Sequence, residues 1–427
     1  MRFSIVTFGC RVNQADSLAL EEGLRARGAE PAPSRSADVI IVNSCSVTCT
    51  ADQGTRQAIR RAARENPRAH VVVTGCYATR SPQEIAALGV ARVVPNDAKD
   101  LLAETLAHDF APDEWTTTTE RFSEEGDGPC GLRLAPGAAG RTAFTLRVQT
   151  GCDERCSYCI IPFTRGRSTS RPLEDLTGTI QRACAAGYRE ITLTGVHLGA
   201  FGRDLDPRRS LAELLGGLAA LPHDVQFRLG SLEPMDCGDD VIEIIAGSQR
   251  FAPAFHLPLQ HASERMLRAM RRPYTLEYYS ALTRRIRARL PDAAIGSDII
   301  VGFPGETSAD FDALRSYLES SALTQLHVFP YSDRPGTEAS DMGGRIDGAT
   351  VRARARLIRE LGRSLTRRFV ETQLDRIHRA LVIDDGYAAV TRNGLKVGLA
   401  HPQKRNDWVT VRLRQSGDVL AGDIVCR

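Results

Sequence analysis

This chain has almost no lysine. Lys99, Lys396 and Lys404 are the only three, and arginine supplies the rest of the positive charge. That bias reads as compositional habit and points to no function. The chain also lacks any stretch of about 20 apolar residues, so no membrane-spanning helix is expected. Its opening, MRFSIVTFGC, has no basic flank, apolar core or small-residue cleavage site of a secretory leader. A cytoplasmic protein with no membrane partner is the expectation. A disulfide framework is excluded as well: the eleven cysteines are odd in number and widely scattered, and disulfides rarely persist in the cytosol. Metal ligation explains several of them better. Cys130, Cys184, Cys237 and Cys426 have no partner at ligand spacing and read as small buried hydrophobes.

At 427 residues the chain is long enough for two or three domains with their own cores. The net charge of +3 is too small to imply nucleic acid. Its distribution says more, because residues 376–427 hold nine Lys or Arg against five Asp or Glu.

Residues 1–108 alternate apolar strands (Phe3–Phe8, Asp38–Val42, His70–Thr74, Val90–Val94) with amphipathic stretches near 16–27, 52–66, 82–88 and 98–107. Such alternation implies a parallel sheet covered by helices on both faces. Cys10, Cys45 and Cys76 each follow one of these strands. Ligands collect at the carboxyl ends of parallel strands, so three distant cysteines are expected to converge at one rim. The alternative is three unrelated strand-end cysteines. Residues 109–142, with TTTT, EEGDGP and PGAAG, read as a linker.

Residues 143–371 carry a second series of six strands, TLRVQ, ITLTG, VQFRLG, FHLPL, IGSDIIVGF and LTQLHVF, with helices between them. This pattern predicts an open, partial (β/α)6 barrel whose chemistry sits at the C-terminal rim. A long Arg-rich helix near 348–371 leads into residues 372–427, whose short, regularly spaced strands predict a small β-barrel. Barrels of that shape commonly bind RNA, although a solvated basic face is the blander alternative.

The feature with the most chemistry is Cys152-x3-Cys156-x2-Cys159, in TGCDERCSYCIIPFTRGR, directly after the first barrel strand. A zinc site would want a fourth Cys or His nearby, and IIPFTRGR supplies neither. Three thiolates without a fourth ligand favour a [4Fe-4S] cluster with one open iron. Later segments resemble a nucleoside-sulfonium pocket: Thr194-Gly195 at a strand end, Arg228, Ser231 and Glu233 in RLGSLEP, and Gly302 in IIVGFPGET. Ordinary strand-to-loop punctuation remains open for each. His197, His256, His261 and His327 fall at or near strand ends and receive no ligand role, because a lone histidine is more often structural.

The triplet resembles the radical S-adenosylmethionine (SAM) superfamily. Together with TFGCRVNQADS, VNSCSVTCTADQGTRQAIRR, VVVTGCYA, LTGVHLGAFG, DIIVGFPGET and VFPYSDRPGT, it resembles the methylthiotransferases over nearly the whole chain. The segment LPLQHASERMLRAM departs from that family's commoner LPLQSGS, with His261 and Ala262 in place of Ser and Gly. The resemblance implies two [4Fe-4S] clusters and SAM. Cys152, Cys156 and Cys159 would hold the SAM-cleaving cluster. Cys10, Cys45 and Cys76 would hold an auxiliary cluster carrying the sulfur, with Cys49 outside the set. It implies a C-terminal RNA-binding TRAM-like domain and, as partners, tRNA, an electron donor and a sulfur source. The GVHLGAFG segment and the short N-terminus favour the subgroup acting at C2 of threonylcarbamoyladenosine at tRNA position 37. Sister activities on isopentenyladenosine in tRNA or on an aspartate of a ribosomal protein stay open, as does a non-catalytic iron–sulfur RNA-binding protein. The aromatic C2–H bond has no useful acidity, so base catalysis fails there and radical chemistry is required.

Overall fold

The computed structural model describes residues 1–110, 142–417 and 419–426. Most of the expected linker 109–142, Cys130 and the side chain of Cys426 lie outside the described residues. The rest falls into two compact units. Gly151–Asp153 and Cys159–Arg167 group with the N-terminal unit, and Glu154–Tyr158 with the second.

The first unit is a five-stranded sheet: β1 (Arg2–Thr7), β2 (Glu30–Pro31), β3 (Val39–Ser44), β4 (His70–Gly75) and β5 (Arg92–Val94). The order is β2-β1-β3-β4-β5 and every pairing is parallel. The central strand, VIIVNS, is buried along its whole length, as a strand covered on both faces must be. Alternation divides its side chains. Ile41 packs with Leu20, Leu24 and Leu106 on one face, and Ile40 and Val42 with Ile59, Tyr77 and Ile85 on the other. Helix Arg11–Arg25 begins earlier than its apolar pattern predicts, because Cys10 is its N-cap, with an extended backbone. A short helix, Cys76–Arg80, follows β4 directly and was not expected.

The second unit opens with β6 (Phe144–Arg147) and a small hairpin, β7 (Gln149–Thr150) with β8 (Thr169–Ser170). The other barrel strands are β9 (Glu190–Thr194), β10 (Gln226–Leu229), β11 (Ala254–His256), β12 (Ala294–Val301) and β13 (Gln325–Pro330). They form two parallel three-stranded sheets, β10-β9-β6 and β11-β12-β13, linked by bridges Phe227↔Phe251 and Ser231↔His256. This is the open six-stranded barrel that the repeats predicted. Its outer face is held by helices whose ends are well defined. Ser210 with Glu213, and Thr307 with Asp310, form capping boxes that satisfy otherwise orphaned helix N–H groups. Helix Gly348–Gln373 lies across β13, and a Cβ at Gly362 would come within 3.3 Å of Leu326.

Strands β14 (Ile377–Ile383), β15 (Ala388–Thr391), β16 (Lys396–Gly398), β17 (Trp408–Ser416) and β18 (Val419–Cys426) close a small barrel. Val382, Val397, Val411 and Leu413 fill it. This barrel belongs to the second unit and meets the six-stranded barrel at the N-terminal ends of its strands. Arg392 donates to Oε1 of Gln226 (2.9 Å) and to the carbonyl of Phe251 (2.7 Å). Asn406 reaches the carbonyl of Gly187 at 2.7 Å and Asn393 that of Asp292 at 3.0 Å. The C-terminal rim is therefore left to the loops.

Candidate functional site

The N-terminal site is built by where three adjacent strands stop. Cys10, Cys45 and Cys76 follow β1, β3 and β4, which are neighbours in the sheet. Two glycines make the approach feasible. Gly9 (φ +91°) precedes Cys10, and a Cβ there would lie 2.3 Å from Sγ of Cys45. Gly75 (φ +98°) precedes Cys76, and a Cβ there would lie 2.2 Å from the Ser44 carbonyl. Only glycine tolerates both the left-handed turn and the contact. Cys45 and Cys76 are buried and Cys10 is exposed. Burial, with nearby Cys10 and Cys76, pushes the Cys45 thiol up to about 11. Such a thiol ionises at neutral pH only when a metal displaces its proton.

A buried charge network flanks these thiols. Arg165 donates to Asp16 (2.9 Å), and Lys99 donates to the same carboxylate (2.9 Å) and to Oδ1 of Asn43 (3.1 Å). All three charged side chains are under 5% exposed. Burial works against the Arg165 charge, but Asp16, Cys76 and Cys10 hold it protonated. Two cations against one carboxylate leave a positive surplus beside three thiols, which suits an anionic thiolate cluster. Nδ2 of Asn96 lies 3.6 Å from Sγ of Cys76 and donates to the Thr164 carbonyl at 2.8 Å. Cys49 is exposed at the first turn of helix Cys49–Glu65.

The triplet is pinned by backbone and by one guanidinium. Gly151 (φ +72°) precedes it, and a Cβ there would strike the Arg167 carbonyl at 1.8 Å. The Cys152 amide donates to the Gly166 carbonyl at 3.1 Å. In the second unit, the Ser157 amide and hydroxyl bond to the carbonyls of Met270 (3.2 Å) and Ala269 (2.7 Å). Arg272, only 2% exposed, donates to Sγ of Cys156 at 3.1 Å and pairs with Glu233. Its Nε also reaches the Tyr274 hydroxyl at 3.0 Å. An N–H donor aimed at sulfur stabilises thiolate and tunes a cluster bound there.

The expected pocket residues divide. Glu233 joins Cys156 through Arg272. Thr194 ends β9, and the following Gly195 is crowded, since a Cβ would stand 2.9 Å from Oε1 of Gln149. That oxygen accepts the His197 amide at 2.9 Å, fixing the turn after the strand. Ser231 is exposed and bridges His256. Gly302 (φ +75°) has its amide bound by Glu306 at 2.5 Å, and a Cβ would strike Val351 at 2.5 Å. Arg228 is not brought to this set: it pairs with Glu190 at the start of β9 (3.0 Å), on the side where Gly394 of the small barrel lies near it. Sequence reasoning missed Arg165, Arg272, Lys99 and Asn96. Arg165 and Arg272 sit inside recognisable motifs, yet nothing in their spacing names their partners.

The sequence matches two family models, "Uncharacterized protein family UPF0004" over residues 2–94 and "Radical SAM superfamily" over residues 146–318. It is 37% identical to the threonylcarbamoyladenosine tRNA methylthiotransferase MtaB of Bacillus subtilis, covering 80% of this chain and 76% of the relative. It is 33% identical to the tRNA-2-methylthio-N(6)-dimethylallyladenosine synthase of Carboxydothermus hydrogenoformans, covering 89% and 87%. Among solved structures, the radical SAM methyltransferase TsrM of Kitasatospora setae, with tryptophan and a SAM analogue bound, superposes with a TM-score of 0.57. The two are 17% identical, covering 79% of this chain and 75% of that one, a likeness of fold.

Proposed function

The chain belongs to the methylthiotransferase family of radical SAM enzymes, and on that premise we propose that it installs a methylthio group at C2 of threonylcarbamoyladenosine at position 37 of tRNA. The observation that carries this reading is the presence of two three-cysteine groups, one after the ends of three neighbouring parallel strands and one in the loop that follows β6 and β7. Cys152, Cys156 and Cys159 would hold one [4Fe-4S] cluster, and Cys10, Cys45 and Cys76 the other. When bound, the clusters and SAM supply the electron, the radical and the sulfur.

The chain's own residues hold and orient these groups. Arg272 fixes the Cys156 thiolate and keeps Glu233 close to it. Thr194 and Gly195, held by Gln149, would offer backbone to the amino-acid end of SAM, with Ser231 and Glu233 in the segment that follows β10. Gly302, its amide held by Glu306, follows the C-terminal end of β12. Arg165 and Lys99 offset the negative charge of the auxiliary thiolates. The basic surplus of residues 376–427 supports phosphate contacts that offset the few kcal/mol needed to unstack the target base. No helix of the described residues is long and apolar enough to cross a membrane. We place the protein in the cytoplasm with tRNA, served by an electron donor and a sulfur source.

Nucleoside mass spectrometry of tRNA from a deletion strain tests the assignment. The 2-methylthio-threonylcarbamoyl nucleoside is expected to vanish and its unthiolated parent to accumulate. Persistence of the thiolated nucleoside at its normal level would overturn the substrate, and loss of 2-methylthio-isopentenyladenosine instead would point to the sister activity.

A further inference from the structure

One donor set on the barrel strands has no part in the chemistry above. Along β12, Ile295, Ile299 and Val301 pack outward with Leu282, Ile286, Leu314 and Leu318 of the covering helices. Side chains alternate along a strand, so Asp298 projects to the opposite, interior face. In the parallel ladder Asp298 stands beside His327 of β13, and Gly296 stands beside His256 of β11. Three neighbouring strands thus bring three side chains to one spot. Oδ1 of Asp298 is 3.0 Å from Nε2 of His256 and 3.2 Å from Nδ1 of His327. All three donor atoms lie within 4.8 Å of one another, and the two imidazoles stack with centroids 5.1 Å apart. Gly296 leaves the room, since a Cβ there would crowd Nδ1 of His256 at 3.1 Å.

The two separations from Asp298 match those of a coordination sphere. Bonds of about 2.0–2.2 Å to imidazole nitrogen and carboxylate oxygen, spread by right or tetrahedral angles, set neighbouring donors roughly 3.0–3.4 Å apart. Two imidazoles and one carboxylate are also the donor set that leaves a first-row divalent metal with open positions. Had the group served only to satisfy a buried carboxylate, it would be closed off. Instead the His327 side chain is 48% exposed and that of Asp298 25%.

We propose that His256, Asp298 and His327 bind one divalent first-row cation on the interior face of the open barrel, with its remaining positions turned toward the substrate. The site lies near the chemistry. Ile300, the next residue of β12 on that face and roughly 7 Å further along, packs with Met270, Phe303 and Tyr158, the neighbour of Cys159. Resting on the substrate reading above, the threonylcarbamoyl group supplies carboxylate, hydroxyl and carbonyl oxygens that fill those positions. An isopentenyl group has no such donor, so the cation also discriminates between the two tRNA substrates.

Manganese(II) is the suitable probe, because it favours nitrogen and oxygen over thiolate. It is titrated into the anaerobically reconstituted full-length protein, and free Mn(II) is read by electron paramagnetic resonance. One tight equivalent is expected beyond the clusters, weakened at least tenfold in His327→Ala and lost in Asp298→Ala. The exposed His108→Ala of the first unit is expected to bind as the wild type does. Absence of the site in the wild type, or equal affinity in all variants, overturns the proposal. A tRNA stem-loop bearing threonylcarbamoyladenosine is expected to change the spectrum of bound Mn(II), and an unmodified stem-loop to leave it alone. Equal spectra would remove the substrate half and leave the metal site standing. Loss of the nucleoside assignment would likewise leave the binding result intact.

Discussion

Cys152, Cys156 and Cys159 are delivered by one loop, whereas Cys10, Cys45 and Cys76 are gathered from the ends of three strands. The local group depends on a few contacts: the Cys152 amide on Gly166, Ser157 on Met270, and Arg272 on Cys156. The distributed group inherits its geometry from the sheet, through strand order and the two glycines that let the chain turn beside Cys45 and Ser44. Within it, burial pushes the Cys45 thiol up to about 11, and Cys45 and Cys76 are buried, while the triplet cysteines are half-buried. Loading the distributed site is therefore tied to folding of its sheet, and loading the local site to the order of one loop.

Exchanging cysteines one group at a time separates these roles most strongly. In Cys156→Ala, 5′-deoxyadenosine formation from SAM is expected to fall by at least roughly a thousandfold, about 4 kcal/mol of barrier, with half of the iron lost. In Cys45→Ala the other half of the iron is lost and SAM is still cleaved, but no methylthio product forms. A Cys45→Ala protein that still makes product would erase the division of labour.

The charge networks beside the two groups should differ in cost. Arg165→Gln removes one of the two cations bound to a carboxylate that is 1% exposed, at an expected cost of about 3 kcal/mol in urea unfolding. Arg272→Gln, whose partner Glu233 is 21% exposed, should cost nearer 2 kcal/mol. Equal costs would mean that burial of the partner does not set the price of the pair.

A smaller effect comes from pH, and it belongs to the second unit. His261 is fully buried, its Nδ1 accepts the Ser263 amide, and burial lowers its pKa to about 4 although the charge of Asp310 works against it. The unfolded chain takes up this proton near pH 6.5 and the folded chain only near 4, so stability falls as pH drops through that window. Between pH 6.5 and 5 the loss is about 2 kcal/mol. His261→Gln is expected to flatten that slope in thermal unfolding, and an unchanged slope would assign the proton uptake elsewhere.

The expected strands and helices of both alternating series correspond to observed elements because their apolar periods are long and their punctuation is clear. The exceptions are short or capped segments. Helix Cys76–Arg80 has five residues, too few for a period to show, and the start of helix Arg11–Arg25 is set by Cys10 as its cap. Among the site residues, the triplet was legible from spacing alone and the strand-end cysteines from their place after strands. Arg228 was not, because its side-chain partner is Glu190 of the neighbouring strand.

Local spacing and hydrophobic period are properties of consecutive residues, so the sequence by itself determined the triplet, the two alternating series and the small terminal barrel. Which distant residues meet depends on strand order and register, which no local pattern carries. Only the folded chain decided that Gly9 lies against Cys45, that Arg165 stands near Cys76 and Cys10 and that Arg272 joins Glu233 to Cys156. The same holds for His256, Asp298 and His327, which come from three strands and meet because Asp298 stands beside His327 in the ladder and Gly296, two residues earlier on the same face, beside His256.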